Sequence, residues 1–262
     1  MEIKSIGFVG GGRVVRILVA GWQRASTALP VICVCEPEAL SREVLTQECS
    51  GISVHDALAV VAAQDLVVLA VHPPAVGKVL AEVRAQLRPE ALVLSLAPKV
   101  TLAAMQDALG GFGRVARMIP NAPSLVGRGF NPVCFGADVD EATRANLLAL
   151  FRPLGETPEA AEDTLEAYAI LTAMGPTYLW FQLQTLREIA GEIGLSAEAA
   201  DDALRAMVEG ALATLLDSGL PPAAVMDLVP VKPLQGEQER MQDAYRSALL
   251  PLHARLRPTP TR

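Results

Sequence analysis

The sequence predicts an α/β protein in which a doubly wound parallel sheet comes first and an all-α domain follows. Three observations carry that expectation. A short apolar run, Ile3 to Val9, stops at Gly10-Gly11-Gly12, and a helical pattern begins at once with Val14, Ile17, Leu18 and Trp22 on one face. Apolar runs and amphipathic stretches then alternate to about residue 155, the pattern of a parallel sheet covered by helices on both faces. After Gly155-Glu156-Thr157-Pro158 the strand signals stop. The domains are therefore expected at residues 1–157 and 158–262.

Strand, glycine turn and helix form the first half of a βαβ unit. Gly10 and Gly12 fill the first two places of the dinucleotide fingerprint. The first permits a tight turn, and the second lets the backbone approach a pyrophosphate at the helix N-terminus, where the dipole favours anions. Val15 stands in the third place instead of Gly or Ala, so a small adjustment of the helix is expected. Gly10, Gly11, Gly12, Arg13 and Val14 are the expected cofactor contacts of this turn.

The elements follow in order. Val31–Cys35 is the second strand, and a helix runs from about Glu38 to Glu48. Gly51–Val54 is a short third strand, with a helix starting near His55-Asp56. Asp65–Val71 is almost wholly apolar, as a strand buried on both faces is. Then come a helix, a strand at Ala91–Leu96, a helix at Thr101–Leu109, a strand at Arg114–Ile119 and the turn Pro120-Asn121-Ala122-Pro123. A strand at Pro132–Phe135 and a helix from Glu141 to Arg152 close this half. In such sheets ligands bind past the carboxyl ends of the strands, so the loops after Val9, Cys35, Val71, Leu96 and Ile119 should ring one cleft. Beyond Pro158, helices are expected at about 160–174, 176–193, 196–218 (with Ser196 as N-cap), 221–228 and 235–256. Leu179-Trp180-Phe181 with Leu183, Leu186 and Ile189 is more apolar surface than so small a domain buries alone, which points to a homodimer through the C-terminal helices.

Composition narrows the function classes. The net charge of −7 gives a nucleic-acid partner no electrostatic support. No apolar run reaches the ~20 residues of a membrane span. The first strand begins at residue 3 and leaves no room for a signal peptide, so the expected location is the cytoplasm. Cys33, Cys35, Cys49 and Cys134 have neither redox nor zinc spacing and there are three histidines, so buried thiols and no metal are expected.

Several motifs resemble the Δ1-pyrroline-5-carboxylate reductase family. They are Ile6-Gly7-Phe8-Val9-Gly10-Gly11-Gly12, Val68-Leu69-Ala70-Val71-His72-Pro73, Val100-Thr101-Leu102, Arg117 to Gly127 through Pro120-Asn121-Ala122-Pro123, and Gly175-Pro176-Thr177-Tyr178. The resemblance implies a Rossmann domain, a helical dimerisation domain and hydride delivery from NAD(P)H to the C=N carbon of a small cyclic imine. The chain departs from the family where it has His72-Pro73 for Lys-Pro, Pro98-Lys99 for Ala-Gly, and Thr172-Ala173-Met174-Gly175-Pro176-Thr177-Tyr178 for Ser-Gly-Ser-Gly-Pro-Ala-Tyr. The family's Ser-Pro-Gly-Gly-Thr-Thr loop, which helps hold the imine carboxylate, is replaced by Val229-Pro230-Val231-Lys232-Pro233-Leu234-Gln235. A substrate other than pyrroline-5-carboxylate is therefore expected. A C–O dehydrogenase of the hydroxy acid type and a catalytically lapsed nucleotide-binding protein are the alternatives.

Imine reduction needs a positioned nicotinamide, a proton source and exclusion of water. Glu36, about 24 residues beyond Gly12, is placed to accept ribose hydroxyls, which favours NAD(H) over NADP(H), although Arg42 nearby suits a phosphate. Val71, His72 and Pro73 should face the dinucleotide. Lys99, Asn121, Thr172 and Tyr178 are the candidate catalytic residues, and Asn121 also a nicotinamide contact. Thr177 and Lys232 are the candidate substrate contacts.

Overall fold

A computed structural model describes residues 2–26 and 29–257. The chain divides into two compact units, residues 1–174 with 252–262, and residues 175–251.

The first unit is built on a seven-stranded sheet. Its members are β1 (Ser5–Val9), β2 (Val31–Cys35), β3 (Ile52–His55), β4 (Leu66–Leu69), β5 (Leu92–Ser95), β6 (Val115–Met118) and, after a short β7 (Gly129–Phe130), β8 (Val133–Phe135). Their order is β3-β2-β1-β4-β5-β6-β8. The first six are parallel and β8 is antiparallel to β6. The order reverses at β1, which places the switch point between β1 and β4, as in a doubly wound dinucleotide fold. A two-stranded ribbon pairs β7 with β9 (Gly155–Glu156).

Helices α1 (Arg13–Arg24), α2 (Ala39–Glu48), α3 (Leu58–Ala62), α4 (Pro73–Arg84), α5 (Leu102–Ala108) and α6 (Glu141–Phe151) cover the sheet. The strands alternate between two cores. Phe8, Leu66 and Val68 pack on one face with Leu18, Trp22 and Phe151. Val9, Val67 and Leu69 pack on the other with Val76, Leu80 and Met105. Burial on both faces is why these strands read as continuous apolar runs. Trp22 fills the first core edge-on to Phe151, with ring centroids 5.4 Å apart, and its indole N–H donates to the Leu150 carbonyl at 2.8 Å. Val15, in the third fingerprint place, is fully buried here, and α1 runs unbroken. Close strand–helix approach is supplied instead at Gly7, where a Cβ would lie 2.0 Å from the Val61 carbonyl oxygen of α3.

The domain boundary expected after residue 157 falls earlier than the division after Met174. Residues 158–174 join the first unit. Val133 N–H donates to Pro158 O at 3.0 Å, Ala160 N–H donates to Val133 O at 2.9 Å, and Leu165 and Ala169 pack with Ile119 and Cys134. This stretch is helical, but in three forms: a 3₁₀ turn at Glu162–Thr164, α7 (Leu165–Tyr168) and a π-helix at Ala169–Ala173.

The second unit holds α8 (Gly175–Glu192), α9 (Ala197–Asp217), α10 (Pro222–Asp227) and most of α11 (Gln238–Leu256). Ser196 caps α9, its Oγ accepting from Ala199 N–H. Arg187 pairs with Asp201, and Tyr178 packs edge-on to Tyr245 at 5.9 Å. Among residues 175–251, only Ala200 is buried.

Candidate active site

A cavity of about 680 Å³ opens at the carboxyl ends of β1, β4 and β5. Gly11, Gly12, Arg13 and Val14 form one wall, Ala70, Val71 and His72 a second, and Leu96, Ala97 and Pro98 a third. Four of the five expected loops contribute; the loop after Ile119 lines none of it.

The glycine turn is shaped by contact on one side and openness on the other. Gly10 has φ +94°, its N–H donates to Cys35 O at 2.8 Å, and a Cβ there would lie 2.7 Å from Ala70 O. A Cβ on Gly12 would meet nothing within 4 Å, because this backbone faces the cavity. Gly12 is the N-cap of α1, with no side-chain cap and no acid in the first turn. The first-turn N–H groups of a helix lack intrahelical acceptors and carry the positive end of its dipole. With Arg13 beside them, the residues present fit a pyrophosphate.

Glu36 is half-buried and does not line the cavity. Its Oε2 accepts the Gly11 N–H at 2.9 Å and its Oε1 accepts the Glu38 N–H at 3.0 Å. The carboxylate thus braces the glycine turn. Arg42, the candidate phosphate ligand, donates through Nη1 to Glu36 O at 2.9 Å and Pro37 O at 2.7 Å. Glu38, not among the residues expected from the sequence, caps α2 by position, lines the cavity and accepts from Ser41 Oγ at 2.7 Å. Arg16, likewise not expected, is also in the wall and paired with Glu48 at 2.8 Å. The Arg13–Arg16 spacing of one helical turn was the available signal. His72 caps α4 by position and is exposed at the wall; the Pro73 side chain lies outside the described residues.

Asn121 and Thr172 are brought together. The Asn121 amide donates to Thr172 O at 3.1 Å, while its Oδ1 accepts Phe130 N–H at 3.1 Å. Thr172 lies in the π-helix, and its hydroxyl donates to Tyr168 O at 2.8 Å. Lys99 is exposed just past the Pro98 wall, with φ +72°. Beneath it sits a charge cluster that the sequence did not reveal. Arg117 on β6 and Glu166 on α7 are each 1% exposed and form an ion pair, and Arg117 also reaches Glu162 at 3.0 Å. Glu166 Oε1 also accepts the Lys99 N–H at 3.1 Å.

Thr177, Tyr178 and Lys232 belong to the second unit. Lys232 Nζ lies 3.3 Å from Asp227 Oδ1. Burial, with Tyr245 adding to it, raises the Tyr178 hydroxyl above its ordinary pKa. The four cysteines are buried and unbridged, and burial pushes the Cys33 and Cys134 thiols up to about 11. Among the described residues, no group of three or more His, Cys, Asp or Glu side chains is placed to hold a metal ion, and no helix is long and apolar enough to cross a membrane.

A family described as "NADP oxidoreductase coenzyme F420-dependent" matches residues 5–99. The chain is 29% identical to pyrroline-5-carboxylate reductase of Escherichia coli (strain K12) over 227 residues, which is 86% of this chain and 84% of that protein. It is similar to the solved pyrroline-5-carboxylate reductase of Coxiella burnetii at 26% identity and a TM-score of 0.68, covering 98% of this chain and 95% of that one. Plasmodium falciparum pyrroline carboxylate reductase, solved with NADP bound, shares the fold with a TM-score of 0.78 at 20% identity, over 97% and 95% of the two chains.

Proposed function

We propose, on the premise that this chain resembles the pyrroline-5-carboxylate reductases along most of its length, that it is an NAD(P)H-dependent reductase of the C=N bond of a small cyclic imine. The observation that carries the reading is the uncapped N-terminus of α1 at an open glycine turn, facing a cavity of dinucleotide size at the switch point of the sheet. The likeness to reductases of that class supplies the reaction type.

A bound NAD(P)H supplies the hydride. Gly11, Gly12, Arg13 and Val14 would hold its pyrophosphate, and Val71, His72 and Pro98 would line the cavity beside it. NADH is the favoured form, because two carboxylates, Glu36 and Glu38, stand at the end of β2 and repel a 2′-phosphate. Lys99, whose ammonium has no ion pair among the described residues, is the candidate proton donor to the imine nitrogen. Asn121, with one amide hydrogen left over, fixes the Thr172 segment and the substrate side of the site.

The substrate differs from pyrroline-5-carboxylate in this reading. Pro230 and Pro233 offer no N–H where two glycines of the family loop do, and Lys232 is engaged by Asp227. A carboxylate buried without partners costs ~3–5 kcal/mol. Thr177, Tyr178 and Lys232 remain the candidate substrate contacts. The second unit leaves Trp180 54% and Phe181 65% exposed, and a second copy of the chain is the proposed cover. NADH oxidation across a panel of cyclic imines, keto acids and hydroxy acids tests the reaction class. Turnover of imines supports the reading, whereas turnover of keto acids alone, or tight NADH binding with no turnover, contradicts it.

A further inference from the structure

We infer that Glu166 is a positioning residue of the cleft, holding Lys99 in its left-handed turn from beneath. The inference rests on the proposed function only in assigning the cavity to a dinucleotide.

Lys99 has φ +72°, a conformation that costs an L-residue with a Cβ free energy and persists only where its surroundings hold it. It directly follows Ala97 and Pro98, which line the cavity. The turn at residue 99 therefore sets where that wall stands and the direction in which the Lys99 side chain leaves it. The backbone N–H of Lys99 ends on Glu166 Oε1 at 3.1 Å, across 67 residues of sequence. Glu166 is itself fixed. It is 1% exposed, and the Arg117 guanidinium, equally buried on β6, grips the same oxygen. The neighbouring Glu162 repeats the arrangement, its Oε1 accepting from Leu102 N–H at 2.6 Å and Arg117 Nη1 at 3.0 Å. One arginine thus locks two carboxylates, and the two carboxylates pin both ends of the loop from Lys99 to Leu102. A buried ion pair is a weak source of net stability. Two backbone donors attached to it, in the loop that directly follows the Ala97-Pro98 wall, give it a different use, the placing of that loop.

Amide hydrogen exchange and NADH titration together test the inference. Glu166→Gln keeps an acceptor for Lys99 N–H and should leave both readings within threefold of wild type. Glu166→Leu should speed exchange of the Lys99 amide at least tenfold and weaken NADH at least fivefold. Adding Lys99→Gly to Glu166→Leu should restore most of the NADH affinity, because glycine takes φ +72° unaided. A general packing defect at residue 166 would not be rescued from residue 99. If Glu166→Leu fails to fold, Lys99→Gly against Lys99→Ala decides: only glycine should raise Tm. Unchanged exchange in Glu166→Leu, absence of rescue, or equal Tm for the glycine and alanine variants overturns the inference. If the wild type binds no NADH, the dinucleotide reading falls, and the exchange rates alone then decide the role of Glu166.

Discussion

Asn121 and Thr172 lie 51 residues apart in sequence and are joined by one hydrogen bond, from the side-chain amide of the first to the carbonyl of the second. The Asn121 carbonyl oxygen holds Phe130 N–H at the same time, and Asn121 N–H donates to Asn131 Oδ1 at 3.2 Å. Asn121 is 8% exposed. It therefore ties the turn after β6 to the β7 strand and to the π-helix. Asn121→Leu removes the side-chain bonds and leaves a donor and an acceptor unpaired. The expected loss is about 2–4 kcal/mol in urea unfolding. A loss within experimental error would show that the bonds carry no load.

Glu36 offers a second test, because its carboxylate braces Gly11 and, in the proposed reading, stands where the cofactor's ribose would lie. NADH should bind more tightly than NADPH by nicotinamide fluorescence. Glu36→Gln should narrow the ratio, and Glu36→Ala should weaken both cofactors by loosening the turn as well. Tighter binding of NADPH by the wild type would refute the assignment.

Asp140 caps α6, accepting from Thr143 N–H at 2.8 Å and from Arg114 at 2.9 Å. The Thr143 backbone bond first, then the Arg114 guanidinium, hold its carboxyl well below the usual carboxylate range. Its folded pKa is depressed, so its contribution to stability is present above the unfolded value of ~3.9 and is lost as pH falls through the folded value. Urea melts taken from pH 6 to pH 2 should show a steeper acid loss in the wild type than in Asp140→Asn, which keeps the cap but not the charge. Identical acid limbs would contradict this.

The exposed apolar faces of α8 to α11 lead to a further expectation. Light scattering at micromolar concentration should give at least twice the chain mass of 27.7 kDa. Replacing Phe181 and Trp180 with serine should shift the chain towards monomer. A wild-type monomer would contradict the proposed dimer.

The sheet was legible in the sequence because most of its strands are buried on both faces and the turn after β1 carries three glycines. β4 shows this well: every residue from Leu66 to Leu69 is apolar and fully buried. The glycine turn and the cavity walls at Val71 and His72 were legible for the same local reason. The Arg117–Glu166 pair was not, because its partners are 49 residues apart and a charged residue ordinarily reads as a solvated surface. Position alone suggested Glu36; its hold on Gly11 depends on a turn whose path only the folded chain defines. The boundary expected at residue 157 and the division after Met174 differ because residues 158–174 lack strands yet pack with the sheet unit, and sequence periodicity reports the type of an element and not its neighbours.

A C=N reductase whose substrate is not pyrroline-5-carboxylate stands or falls on one ratio. The measurement is kcat/KM, with saturating NADH, for pyrroline-5-carboxylate and for a cyclic imine of the same ring size without the carboxylate, in the wild type and in Lys232→Ala. Orientation at the reacting carbon requires approach within ~3–3.5 Å, so poor anchoring of a carboxylate should lower turnover as well as affinity. The uncharged imine should be preferred, and Lys232→Ala should abolish whatever activity remains on pyrroline-5-carboxylate. Efficient turnover of pyrroline-5-carboxylate, unchanged in Lys232→Ala, would contradict this expectation and would mean that the carboxylate is held by other residues.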